Sequence, residues 1–363
     1  MFCDCAEFNT REFGHNVLMR ADGISLKLEE FCLLAMLCRD LPAILKSRPV
    51  PSYVGGRDTG VRRMLEPAKM KECRRSLDHY VIQVRDLDTS GATYERLGFQ
   101  VMPRMRHIEI GSANRVVQFR NTYLELIGDL DRARSVVGDN LSARWACGEG
   151  LSMVSLDSDD IEEDHAWVEG LQLDPAPIIS ARRKVTMPDG SEDETDSVCF
   201  YIFRPDRKYL SLFLSQHRKP GVIWVNRYQQ HPNTAFETSG VIWVSDDPAR
   251  ERDYFAALFG SAPEHEEAGL IRFRGARGDC AEIYSRERLG DRFPGLEIPV
   301  CDRLAGYPAG LQIAVGDLDR LRSILETNGV ESVDGRGRVS VGPDQTHGVA
   351  IEFVAAQNDG LHR

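Results

Sequence analysis

No run of about twenty nearly uncharged apolar residues, the length a membrane-crossing helix needs, occurs in the 363-residue sequence. The most apolar segment, Ile24 to Leu45, is interrupted by Lys27, Glu29, Glu30, Arg39 and Asp40. The amino terminus lacks the basic start and short apolar core of a secretory signal, since Asp4, Glu7 and Glu12 come early. A basic excess is missing too: 45 Lys and Arg against 56 Asp and Glu give a net charge of −11, which excludes nucleic acid and anionic membranes as expected partners. Paired Cys-x-x-Cys motifs are absent. The nine cysteines, with Cys3 and Cys5 too close together for a zinc knuckle, read as reduced thiols of a cytoplasmic protein. Nor is there a nucleophile elbow, a phosphate-binding loop or a dinucleotide fingerprint; Gly55–Gly56 lacks the strand-to-helix context. What remains is an ordinary globular composition, 42% hydrophobic and 28% charged, long enough for two or three domains.

What is present is repetition. Leu77 to Gly98 reads LDHYVIQVRDLDTSGATYERLG: an alternating strand, an acidic turn, and a helix closed by a glycine. The pattern returns in Gly150 to Leu171, in Ser239 to Gly260 with Pro248 in the first helical turn, and in Gly310 to Gly329. Setting Asp86, Asp159, Asp246 and Asp317 in register aligns all four. Further strands are expected after each helix, at Phe99–Met102, Val116–Phe119 and Tyr123–Ile127 in the first unit. The later units offer Leu270–Phe273, Ala281–Tyr284, Arg338–Val341 and Val349–Val354. Each unit is therefore βαβββ. One such unit cannot bury both its sheet and its helix, so pairing into curved sheets is expected. The fold class is α+β: four βαβββ modules in two cups, at residues 71–235 and 236–356, with a short tail at 357–363. Residues 1–70 fall outside the repeat and hold four cysteines, one helical stretch at Ser25–Leu45 and a Pro/Gly-rich tail. They read as an appendage outside the active domain, consistent with an upstream start choice.

The segments LDHYVIQVRDLD, YERLGF, VVQF and TYLELIG, together with Phe213 to Ala235 as a junction, resemble the vicinal oxygen chelate superfamily and its two-domain glyoxalase-like members. The resemblance runs from Leu77 onward. It implies a divalent ion (Fe, Mn, Ni or Zn) held on the concave face by side chains of the first and last strands. Carried onto this chain, it assigns His79 and Glu125 as ligands. In the second unit Leu151 stands where His79 would be and Ser211 where Glu125 would be, and strand parity then puts His217 on the same face as Ser211 as the third ligand. Glu125 sits in an apolar strand, where an unpaired carboxylate is costly and needs a cation. In the second cup, Glu282 and Glu352 match Glu125, but Ser239 and Gly310 replace the imidazole. That cup is expected to be non-catalytic.

Around the first cup, Arg106 and Asn114 are candidates for substrate binding, Arg106 because a guanidinium grips a carboxylate with two hydrogen bonds. His107 and His231 are candidates for proton transfer. The expected activity is that of a metal-dependent lyase or isomerase on a small oxygenated substrate that chelates the ion. An extradiol-type Fe(II) dioxygenase and a metal-free small-molecule binding protein are the alternatives, and a homodimer is a possible assembly.

Overall fold

The structure is a computed structural model that describes residues 18–21, 24–27, 75–129, 145–203, 212–298 and 306–356. The chain divides into two compact units, Met1–Asp58 and Thr59–Arg363. In the first, β1 (Leu18–Ala21) pairs antiparallel with β2 (Ile24–Lys27). The helix expected over Ser25–Leu45 is thus a strand at its start, the rest lying outside the described residues. The Asp22–Gly23 pair between the strands is a two-residue hairpin sequence, and this local signal outweighs the helical periodicity that follows.

The second unit contains the four repeats. Unit one comprises β3 (Leu77–Gln83), α1 (Leu87–Arg96), β4 (Met105–Arg106), β5 (Ala113–Gln118) and β6 (Tyr123–Gly128). Unit two comprises β7 (Gly150–Asp157), α2 (Ile161–Gly170), the short β8 (Asp174–Pro175) and β9 (Ile179–Ser180), a hairpin of β10 (Lys184–Thr186) and β11 (Glu192–Glu194), then β12 (Ser197–Phe203) and β13 (Leu212–His217). Their strands form one curled sheet in the order β4-β5-β6-β3-β7-β13-β12-β8, with the two first strands antiparallel at its centre. Units three and four repeat the plan. Unit three is β14 (Ala235–Ser245), α3 (Pro248–Phe259), β15 (His265–Glu267), β16 (Leu270–Arg274) and β17 (Cys280–Ser285), followed by α4 (Arg286–Arg292). Unit four is β18 (Gly306–Val315), α5 (Leu318–Thr327), β19 (Val333–Gly335), β20 (Arg338–Val341) and β21 (Ala350–Ala355). The second sheet runs β15-β16-β17-β14-β18-β21-β20-β19. The α+β architecture of paired βαβββ modules therefore stands.

The register differs from the expected one in the middle units. The residues that cap the four helices are Asp86, Asp160, Asp247 and Asp317, one further on than expected in units two and three. Irregularities in β7 and β14 absorb the extra residue: the pairing of β3 with β7 shifts between Val81–Met153 and Ile82–Leu151. As a result Leu151 faces the helix layer, and Met153 stands on the cup floor in the place of His79. Glu125 pairs with Val81, and by the parallel register of β7 with β13 its counterpart is Phe213, not Ser211. Phe99–Met102 is not a strand, because the Gln100 N–H is spent on the ring of His231 and not on a ladder.

A continuous apolar core joins the helix-bearing faces of both sheets, with Phe99 stacked on Phe353 at 5.9 Å. Gly98 sits at this junction with φ +85°. A Cβ there would lie 2.8 Å from Asn233 Cβ and 2.9 Å from Ile324 Cγ2, so glycine is needed for both conformation and space. Cys199 and Cys280 are free thiols, but Cys147 is disulfide-bonded, so the all-reduced expectation does not hold for every cysteine. Among the described residues no helix is long and apolar enough to cross a membrane.

Candidate functional site

The floor of the first cup is where polarity concentrates. In β3 the ladder skips between Leu77 and His79, leaving Asp78 as an extra residue. A bulge of this kind aims two successive side chains at one side, and Asp78 and His79 are both buried there. Asp78 Oδ2 lies 2.6 Å from His79 Nδ1 and 3.1 Å from His217 Nε2. Burial alone would raise the Asp78 pKa, but the His217 and His79 imidazoles outweigh it and hold the carboxyl well below the usual range. With Asp78 ionised, His79 Nδ1–H donates to it, which turns Nε2 toward the cavity floor. Tyr123 stacks on the ring at 4.3 Å and fixes its orientation.

The His79 Nε2 faces Glu125 Oε2 at 3.9 Å. The other oxygen, Oε1, accepts a hydrogen bond from Asn114 Nδ2 at 2.5 Å and lies 3.4 Å from His107 Nε2. His107 is held from behind as His79 is, its Nδ1 lying 2.9 Å from Ser112 Oγ. Burial works to raise the Glu125 pKa, yet His107, His79 and Arg183 with the Asn114 hydrogen bond keep it below the ordinary value. Burial also lowers the His107 pKa, against the pull of Glu125. Two imidazole edges thus converge on one buried carboxylate, each imidazole anchored through its far nitrogen. A carboxylate oxygen and a ring nitrogen 3.9 Å apart are beyond hydrogen-bond distance and are spaced as two ligands of one cation are: bonds of about 2.1 Å place ligand atoms about 3 to 4 Å apart. His79 and Glu125 are thus spaced to share one divalent ion, and His107 lies 3.4 Å from the other carboxylate oxygen.

Among the described residues, Asp78, His79 and His217 place one donor atom each within 4.8 Å of the others. Their contacts are hydrogen bonds instead: the 2.6 Å between Asp78 and His79 is shorter than the roughly 3 Å that separates ligands at right angles on such an ion. His217 is further committed by its Nδ1, 2.8 Å from Ser197 Oγ. His217 therefore lies in the cavity, as parity required, but turned toward Asp78.

The other sequence candidates divide. Asn114 reaches Glu125, so its place is behind the carboxylate. Arg106 is a correction: its side chain is 63% exposed beside Asp129, because β4 is an edge strand and its Arg106 side faces outward. His231 is a second correction. It packs against Phe99 and Phe119 on the helix-bearing side, its Nδ1 accepting from Gln100 N–H at 3.0 Å and its Nε2–H donating to the Gln118 carbonyl at 2.7 Å. Burial lowers its pKa to about 4, and neither nitrogen is free to serve as a base. Proximity to the junction in sequence is what misled.

Sequence reasoning missed Asp78 and Arg183. Arg183 precedes β10, pairs its backbone with His107, and puts a buried guanidinium in the cavity wall. Tyr201, Phe213, Met153 and Cys199 complete that wall. Burial pushes the Cys199 thiol up to about 12, so it acts as an apolar group.

Among the described residues, the second cup has no comparable floor. Leu289 of α4, with Phe293 and the adjoining Leu296 and Ile298, fills its inner face. Glu352 is gripped by Arg292 at 2.9 and 2.5 Å and by Arg338 at 3.1 Å, while Arg272 holds Glu282 at 2.7 Å. Both carboxylates have guanidinium partners where Glu125 faces imidazoles.

A family model described as a glyoxalase-like domain matches residues 77–259, half of the chain. The chain belongs to this glyoxalase-like family, within the vicinal oxygen chelate superfamily. A search of curated proteins gave no match. Among solved structures, a hypothetical protein from Staphylococcus aureus is similar at TM-score 0.56 and 13% identity, over 77% of this chain and 98% of that one. A mutant 4-hydroxymandelate synthase from Streptomyces coelicolor follows at 0.53 and 12%, over 78% and 92%. A fusion of a xylose isomerase-like TIM barrel with a 4-hydroxyphenylpyruvate dioxygenase gives 0.51 and 10%, over 80% of this chain and 51% of that chain. At such identities these likenesses bear on the fold alone.

Proposed function

We propose that this glyoxalase-like chain is a metal-dependent enzyme whose first cup binds a small substrate bearing two neighbouring oxygens. The observation that carries the reading is the convergence of His79 Nε2 and His107 Nε2 on Glu125, at 3.9 and 3.4 Å. His79, His107 and Glu125 would hold the ion. In this reading His107 takes the ligand position, and His217 supports Asp78. A bound ion supplies Lewis acidity toward the substrate oxygens.

The chain's own residues do the rest. Asp78 keeps the His79 proton on Nδ1 and so keeps Nε2 available. Asn114 orients Glu125. His217, between Asp78 and Ser197 in the cavity wall with both ring nitrogens engaged, holds the Asp78 carboxylate in place behind His79. Met153, Phe213 and Val81 exclude water, which strengthens each of these interactions.

Elemental analysis of protein purified without added metal, followed by Mn²⁺ and Zn²⁺ titration, tests the reading. Close to one equivalent is expected, lost in His79→Ala and in Glu125→Ala. Less than about a tenth of an equivalent, with no uptake on titration, would sink it. The donor set of two imidazoles and a carboxylate also favours a second reading, Fe(II) oxygenase chemistry. Oxygen uptake by anaerobically Fe(II)-loaded protein on adding a catechol would favour that branch over proton transfer.

A further inference from the structure

The dipeptide Arg182–Arg183 splits between two environments. Arg182 lies at the surface, paired with Glu109 at 2.6 Å and Glu194 at 2.9 Å. Arg183 is 5% exposed, lines the first-cup cavity, and among the described residues has no ion pair. Its Nε lacks any hydrogen-bond partner, and its guanidinium carbon sits 5.6 Å from the Tyr123 ring centroid. Glu125 acts on Arg183 only through space, with no direct ion pair, so a buried guanidinium is left with a donor unspent on any anion. One facing an enclosed pocket marks where an anion enters.

We infer that Arg183 is the anchor for a carboxylate on the substrate, so that the first cup takes small monoanionic acids. This rests on the proposed reading of the first cup as a substrate site. Charge balance agrees. Asp78 and Glu125 contribute two negative charges and Arg183 one positive, so a divalent ion leaves the pocket with a single uncompensated positive charge for the ligand to neutralise. The fork of the guanidinium suits a planar carboxylate, and the aromatic walls of Tyr123, Tyr201 and Phe213 suit a flat apolar body beside it.

The probe is benzoate, with its neutral isostere benzamide as control, measured by calorimetry on chelator-treated and on Mn²⁺-loaded full-length protein. Benzoate is expected to bind at least about tenfold more tightly than benzamide, a difference of about 1.4 kcal/mol. Arg183→Met should abolish that preference, and the surface control Arg182→Met should keep it. Arg183→Lys, which keeps the charge but loses the fork, should retain part of the preference.

Equal affinity for benzoate and benzamide, or a preference that survives in Arg183→Met, overturns the inference even if metal binds. An Arg183-dependent preference in protein that takes up no metal supports the anion anchor while removing the metal reading.

Discussion

Replacing His231 by phenylalanine separates a structural imidazole from a catalytic one through the pH dependence of folding. At pH 7.5 the substitution keeps the packing against Phe99 and Phe119 but strands the Gln100 N–H and the Gln118 carbonyl. Orphaning two such groups costs about 2 to 4 kcal/mol. The wild-type advantage should then shrink in acid. Burial lowers the folded-state pKa of His231 from 6.5 to about 4, so between these values the unfolded chain binds a proton that the folded chain refuses. Stability is intact above pH 6.5 and falls as pH drops toward 4, at about 1.4 kcal/mol per unit. By pH 4.5 the loss reaches about 2.5 kcal/mol, and phenylalanine, which does not titrate, escapes it. Urea unfolding of both proteins at pH 7.5, 6 and 4.5 measures the gap, with every other titrating group cancelling in the comparison. A gap that stays constant across this range would refute the neutral, buried assignment.

Two further substitutions probe the cups separately. Asp78→Asn removes the negative charge behind His79 without touching a proposed ligand; metal affinity should fall by about 10- to 100-fold while the stoichiometry persists, checked by competition with a chromophoric chelator. Glu352→Gln leaves Arg292 and Arg338 without their shared carboxylate and should destabilise the second cup by about 3 kcal/mol in denaturant unfolding, with metal binding at the first cup unchanged.

The parts of this fold that could be read from sequence are those written in short-range chemistry. The strand, acidic turn and helix lie within about twenty residues of one another and recur four times; the closing glycine recurs three times, as Gly98, Gly260 and Gly329, with Gln172 taking the left-handed position in unit two. Bulges were not visible, since one inserted residue leaves composition and helix signals untouched. That is why Leu151 and Ser211 were matched to His79 and Glu125 when Met153 and Phe213 occupy those places. His79 and Glu125 were singled out by the family resemblance, and Glu125 also as a carboxylate in an apolar strand that needs a partner. Arg183 gave no such signal: it sits in an irregular segment, indistinguishable in sequence from the surface Arg182 beside it. The roles of His107, His217 and His231 turn on which nitrogen faces which neighbour, and only the folded chain brings those neighbours together.

The most direct measurement is an anomalous difference map from crystals of the full chain soaked in Mn²⁺ or Zn²⁺. The predicted result is a single strong peak in the first cup, about 2.0 to 2.3 Å from His79 Nε2, His107 Nε2 and a Glu125 oxygen. A peak seated between Asp78 and His217, a peak only in the second cup, or none at all would contradict it.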